Sequence, residues 1–209
     1  MDFDGLAVAK KARRTVLRPV SRDDLPTLFE WRTDVDNLHL WSSRRRIPTF
    51  EEFVLEFEGD LQAGITLLVL RRRDGQPIGF VQAYNLNQND GWAHILEYLV
   101  PDYRVSGYGA EAIMMLLDYM FTNFPFRKLY ADVFGYNEYV SRGLLRAGFV
   151  EEGRSRSHVW YRDRYWDLVH LAVFRERWDD FKNHMYRILT VESQMQDDAD
   201  AGQTSEAGD

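Results

Sequence analysis

The chain has no cysteine among its 209 residues. Disulfides, thiolate metal sites and a cysteine nucleophile are thereby all excluded. No apolar run approaches the roughly 18 residues of a membrane-spanning helix. The first residues include Asp2 and Asp4 and lack the apolar core of a secretory signal. A soluble, cytoplasmic protein with no membrane association is expected. There is no dense acidic cluster with ligand spacing, so no metal is expected either. Internal repeats are absent.

What the sequence does have is 45% apolar and 14% aromatic residues, enough for the core of one domain. The net charge of −7 is unevenly spread: residues 1–14 hold four basic and two acidic side chains, while 188–209 hold six acids and neither Lys nor Arg. The body between them is close to neutral, a poor match for a polyanion, so nucleic acid is disfavoured as a partner. The expected organisation is a flexible N-terminal arm over 1–14, a single domain over 15–187 and an acidic, mostly disordered tail over 188–209.

Within the domain, Thr15–Val20 reads as a strand. Ser21 is an N-cap for a helix carrying Leu25, Leu28 and Phe29. Thr49 and Glu52 form a capping box ahead of Phe53, Phe57 and Leu61, a helix that Gly64 ends. Ile65–Leu70, Ile78–Tyr84 and Trp92–Val100 read as a three-strand meander, its first turn marked by Asp74-Gly75 and its second spanning Asn85–Gly91. A helix follows, with Ala112, Ile113, Leu116, Leu117, Met120 and Phe121 on its apolar face. Leu129–Phe134 is a strand. Glu138–Ala147 is a helix closed by Gly148, and Phe149–Glu151, Val159–Tyr161 and Trp166–Phe174 read as strands. Hairpins first and one βαβ unit later predict an α+β fold, a mainly antiparallel sheet with helices on its faces.

The segment that carries chemistry is Arg104-x-x-Gly107-x-Gly109, at a strand-to-helix junction. Two glycines let backbone approach a ligand, and the helix behind them presents unpaired N–H groups and a positive dipole end. On the residues alone it is either a turn without a ligand or an anion site. Gly107-x-Gly109-x-x-Ala112 with Asp132 further on also fits a dinucleotide fingerprint, although Pro101–Ser106 intervenes between strand and glycines. No Gly-Lys-Ser/Thr follows, so it is no Walker loop.

Residues 15–178 as a whole resemble the GNAT superfamily of acetyl-CoA-dependent N-acetyltransferases. Arg104-Val105-Ser106-Gly107-Tyr108-Gly109 is similar to its pyrophosphate loop. Asn137 opening a helix, with Gly148-Phe149 after it, resembles its second motif. Tyr165-Trp166-Asp167 before a last apolar strand and Trp178 resembles the branch with ribosomal-protein, spermidine and antibiotic acetyltransferases. The resemblance implies a mixed, twisted sheet with a central βαβ unit and acetyl-CoA in a V-shaped gap between the strands at 92–100 and 128–134. Leu99, Val100, the 104–109 loop and Asn137 would hold the co-substrate. The amine of a small molecule would attack the thioester directly, and a homodimer is compatible with this.

The family's thiolate-protonating Tyr falls at Leu144, and Ser141, one turn earlier, is the substitute candidate. For the general base, Glu97 is the first candidate, as a lone acid in an apolar strand, and His94 the second, at the family's position ahead of Pro101. By period two these lie on opposite faces, a phase that a bulge would shift. Acceptor-side candidates are Trp41 and Arg44, in the basic loop between the first two helices, and Tyr84 and Asn85. Two other readings stand beside small-molecule acetyl transfer: a protein N-terminal acetyltransferase of the ribosomal type, and a non-catalytic acyl-CoA-binding module.

Overall fold

The computed structural model describes residues 14–41, 45–104, 106–178, 180–183 and 187. Most of the expected arm, the acidic tail, Arg44 and Val105 lie outside them, as does the side chain of Trp41.

β1 spans Thr15–Pro19. Ser21 does not open a long helix directly. It caps one tight turn, Arg22–Asp24, before α1 at Leu25–Thr33. The Asp24 carboxylate folds back to accept from the Ser21 N–H at 2.8 Å and from both terminal nitrogens of Arg18 at 2.7 Å. A four-residue helix, α2 at Leu38–Trp41, comes next. It is too short to show a sequence period. α3, Phe50–Ala63, begins at the expected capping box: Thr49 Oγ1 accepts from the Glu52 N–H, and Glu52 accepts from the Thr49 N–H.

β2 (Ile65–Arg71), β3 (Pro77–Asn87) and β4 (Trp92–Leu99) form the meander. β3 outlasts its expected end at Tyr84. Asn85 takes a left-handed φ of 50°, which Asn tolerates, and pairing resumes at Asn87 opposite Trp92. α4 (Tyr108–Asn123), β5 (Lys128–Phe134), α5 (Glu138–Arg146), β6 (Val150–Tyr161) and β7 (Arg164–Phe174) complete the order. The two short strands expected over 149–161 are one long strand, β6, irregular in register after Glu151 and after Ser155. β6 is an edge strand, so its polar stretch needs no apolar alternation.

The seven strands form one sheet in the order β1-β2-β3-β4-β5-β7-β6. Every neighbouring pair is antiparallel except β4–β5. Helices cover both faces. α4 places Ala112, Leu116 and Met120 in one core with Val81, Ile95, Leu129, Val133 and Leu171. On the other face, Leu28 of α1 and Phe53 and Phe57 of α3 pack with Leu68, Phe80 and Tyr98. Each of the buried Leu, Ile, Val, Met and Phe side chains stabilises by about 1.5–3 kcal/mol.

α4 is pinned at both ends. Glu111, in its first turn, is 7% exposed and accepts from the Thr15 N–H at 2.7 Å, the Thr15 hydroxyl and the Arg14 N–H. Arg14, the last residue of the expected arm, is therefore held. At the other end the Arg175 guanidinium donates to the carbonyls of Phe121, Phe124 and Phe126, taking up acceptors that a helix end leaves open. Buried Asp118 accepts from Lys182 and Trp178, docking the helical segment that starts at Arg175.

Asp24 provides a stability test. The Arg18 hydrogen bonds, with help from Ser21, hold its carboxyl down at about 2, against 3.8 ordinarily. A depressed acid stabilises the fold above its unfolded value and loses that contribution as pH falls towards its folded value. Asp24→Asn should therefore lower the unfolding free energy by about 1.5–3 kcal/mol at pH 7, the range for hydrogen bonds to a charged group. In urea titrations the gap between the two proteins should close between about pH 4 and pH 2.

Candidate active site

β4 and β5 are paired at Trp92–Lys128, Ala93–Leu129 and His94–Tyr130, and nowhere beyond. Both strands continue, β4 to Leu99 on β3 and β5 to Phe134 on β7. The sheet is thus split by a gap that opens past His94 and Tyr130. No register shift interrupts β4 between His94 and Leu99, so strict alternation holds there. The Val100 N–H donates to Ile78 on β3. By the antiparallel alternation, the N–H and C=O groups of Leu99 and Glu97 therefore face the gap. The Leu99 carbonyl accepts from Arg104 Nε at 2.8 Å, which leaves its N–H.

At the open end of the gap stands the N-terminus of α4. Gly107, its N-cap, has φ 80°, and no side chain caps the first N–H groups. A Cβ on Gly109 would lie 2.0 Å from Glu97 Oε1, so a larger residue here would have to displace the Glu97 carboxyl. The loop is braced from outside: Arg14 Nη1 donates to the Ser106 carbonyl at 2.6 Å, and the Ser106 hydroxyl donates to Tyr103. The Tyr108 ring meets Tyr103 edge-on. Arg104 turns back onto β4, its guanidinium 5.6 Å from the Tyr98 ring, and so holds the loop. The arrangement, backbone donors at an uncapped helix start beside two glycines, fits an elongated anionic ligand.

Glu97 shares the α4 face with Ala93, Ile95 and Leu99. Protein atoms crowd its carboxyl and push it up to about 7, yet the side chain is solvent-exposed. Its neighbour is the α4 N-terminus.

His94 lies on the opposite face, within a network that the linear order of residues does not assemble. Its ring is flanked by Tyr84 and Tyr130, each 5.3 Å away, with Trp92 edge-on at 5.6 Å. Its Nε2 is 3.7 Å from Asp132 Oδ2. The other Asp132 oxygen accepts from His170 Nδ1 at 2.7 Å, and His170 Nε2 is 3.0 Å from the Ser155 hydroxyl. A carboxylate only accepts, so His170 donates to Asp132 from Nδ1. Burial holds His94 below the usual 6.5, with Asp132 pulling it up and His170 pressing it down. His94 Nδ1 is buried and has no hydrogen-bond partner among the described residues. Such a site can take a proton onto His94 while Asp132 holds the resulting cation. Burial, with Asp132 nearby, also pushes the Tyr84 hydroxyl up to about 12.

The remaining expected residues are scattered by comparison. Asn137 precedes α5 and makes no side-chain cap bond. Ser141 is half-buried on the same face as Leu144. Asn85 is exposed at the end of β3. Sequence reasoning passes over Asp132 as a site residue and misses His170, Ser155, His39 and Tyr136. The signal that marks Glu97, a titratable group interrupting an apolar strand, also marks Asp132 among Leu129–Phe134 and His170 among Leu168–Val173.

Residues 14–150 match the family model described as "Acetyltransferase (GNAT) domain". The SPbeta prophage-derived uncharacterized N-acetyltransferase YokL of Bacillus subtilis is 24% identical over 169 residues, 78% of this chain and 91% of that protein. The putative ribosomal N-acetyltransferase YdaF of the same organism is 25% identical over 109 residues, 52% and 60% of the two chains. Among solved structures, spermidine N-acetyltransferase from Vibrio cholerae in complex with CoA and spermine has a TM-score of 0.71 at 21% identity, over 78% of this chain and 97% of that one. An acetyltransferase (GNAT family) from Bacillus anthracis has a TM-score of 0.66 at 19% identity, over 79% and 97%.

The His94 network is open to direct measurement. Asp132 favours the protonated ring, so Asp132→Asn should lower the midpoint of the His94 ring titration seen by NMR. An unchanged midpoint would show that the two groups are not coupled.

Proposed function

The chain belongs to the GNAT acetyltransferase family, an N-acetyltransferase that uses acetyl-CoA, and on that premise we propose that it acetylates the primary amine of a small molecule by direct attack in a ternary complex. The observation that carries this reading is the split between β4 and β5, with an uncapped helix N-terminus at its open end and His94 at its closed end. Acetyl-CoA supplies the acyl group and a thiol leaving group. The N–H groups at the start of α4 and the glycines at 107 and 109 would hold its pyrophosphate, with Tyr108, Ser106 and Val105 in the same loop. The backbone of Leu99 and Val100 would carry the pantetheine arm, and the Leu99 N–H faces the gap where it can polarise a carbonyl.

An amine is mostly ammonium near neutrality and must lose a proton before it attacks. We assign that step to His94. Burial holds the ring below 6.5, which favours the neutral, proton-accepting form near pH 7. Asp132, fixed by His170, holds the charge that His94 gains. Glu97, the first candidate from sequence, faces the α4 N-terminus, a position that suits contact with the co-substrate more than with the acceptor. Ser141 is the hydroxyl on α5 that we assign to the departing sulfur; among the described residues its side chain has no partner.

His94→Gln should lower kcat by about 100-fold or more, the size of a general-base effect, and leave CoA affinity unchanged. Because the base works in its neutral form, the acid limb of the wild-type rate profile should fall below pH 6.5. Full kcat in His94→Gln, with a large loss in Glu97→Gln, would move the base to the other face of β4.

Gly109→Glu should weaken CoA binding by calorimetry at least about tenfold, or 1.4 kcal/mol. Its Cβ meets Glu97, and it adds a second anion at the helix N-terminus. Unchanged affinity would place the pyrophosphate elsewhere.

A further inference from the structure

On the face of the sheet that carries His94 there is a second cluster, which the proton transfer does not use. Tyr161, the last residue of β6, is stacked on the His39 ring of α2, 4.5 Å away and within 8° of parallel. Tyr136 packs on Tyr161 at 4.5 Å, and its hydroxyl donates to the His39 carbonyl at 2.5 Å. Two guanidinium groups lie at the same ring, Arg45 at 5.6 Å and Arg162 at 5.3 Å. His39 is held below the usual 6.5, first by burial and then by the charges of Arg104, Arg162 and Arg45; Arg104 itself lies at the Tyr98 ring, 5.6 Å away.

Among the described residues, Arg45, Arg104 and Arg162 form no ion pair, as is also true of several other arginines such as Arg127 and Arg164; what sets Arg45 and Arg104 apart is burial of part of the guanidinium. Two of the three also hold buried nitrogens that meet no acceptor at full hydrogen-bond geometry among the described residues, Nε and Nη2 of Arg45 and Nη2 of Arg104, although Arg45 lies at the Tyr136 hydroxyl and Arg104 at that of Tyr98. A buried donor left unmade costs about 1–3 kcal/mol, and more when it is charged. Aromatic stacking explains where the guanidinium planes lie, but it does not satisfy their in-plane N–H groups. Arg104 bonds to Leu99, the β4 residue whose N–H faces the gap, so the cluster adjoins the place where the acyl group would lie.

We infer that the acceptor carries an anionic group, a carboxylate or a phosphate, close to the amine it presents to His94, and that Arg45, Arg104 and Arg162 bind that anion. This rests on the acetyltransferase reading and narrows its substrate class. Carboxylate and phosphate both match the paired donors of a guanidinium. A polyamine does not: three cations here would repel it.

The test uses the full chain with acetyl-CoA and follows thiol release from matched amines: phenylalanine against phenylalaninamide, glucosamine against glucosamine 6-phosphate, and spermidine. In parallel, calorimetry measures the binding of 3-phenylpropionate and glucose 6-phosphate, which lack the amine, to the CoA complex. The anionic member of at least one pair should have kcat/KM about tenfold or more above its neutral partner, and the matching amine-free anion should bind. Arg45→Gln and Arg162→Gln should each raise KM for that substrate about tenfold, with kcat changed far less, and should weaken binding of the free anion. Arg-dependent anion binding with no thiol release from any amine would uphold the anion site and overturn the transfer reading. Three results would overturn the inference itself: neutral amines or spermidine used as well as the anionic ones, no binding of either free anion, or a loss of CoA affinity rather than anion affinity in Arg45→Gln.

Discussion

β4 and β5 share three residue pairs and then part, and the rest of the site depends on that parting. A parallel pair has no hairpin to fix how far its ladder runs. Here each strand keeps its other partner for its full length, β4 on β3 and β5 on β7, so the sheet splits without either half losing its own ladder. The backbone groups of Glu97 and Leu99 on the open edge are left for something else to satisfy. Arg104 takes one of them, the Leu99 carbonyl. An exposed strand edge is ordinarily a hazard; inside a cleft it is a place for a ligand to pair.

The gap needs rigid walls, and α4 supplies the connection between them. Glu111 fastens its first turn to β1, and Arg175 fastens the Phe121 carbonyl of its last turn to the segment after β7. Between them the helix buries Ala112, Leu116 and Met120 under the strands on both sides of the split. Its N-terminus is thereby held at the mouth of the gap with its N–H groups open, where Gly109 allows contact as close as the Glu97 carboxyl.

Alternation along β4 divides the chemistry between two faces. Glu97 points to the α4 side and its phosphate-binding geometry. His94 points to the side of α1, α2 and α3, with Asp132 and His170 across the split and the arginine cluster nearby. Both titratable groups have shifted affinity for protons, and burial is the leading cause in each, but their neighbours differ. An anion-binding helix end flanks one; a carboxylate paired to a second histidine flanks the other.

Features that depend on residues close in the chain are legible in the sequence itself. The capping box at Thr49, the Asp74-Gly75 turn, the Gly107-x-Gly109 loop and the alternation that separates His94 from Glu97 are set by neighbours a few residues apart, whose backbone preferences act locally. The resemblance of the loop and of the Asn137 and Trp166 motifs supplies the α+β sheet and its central βαβ unit. The His94 network is not legible in this way. Asp132 and His170 are 38 residues apart, and His170 and Ser155 are 15 apart, and they meet only because β5 lies beside β7 and β7 beside β6, in one register. Period two states which face a side chain takes, but not which strand will lie next to it. The same holds for His39, Tyr136 and Tyr161, brought from a short helix, a strand end and a hairpin. Local preference determined the pieces and their faces; sheet order and register, set by burial across the whole domain, decided which charges would stand together.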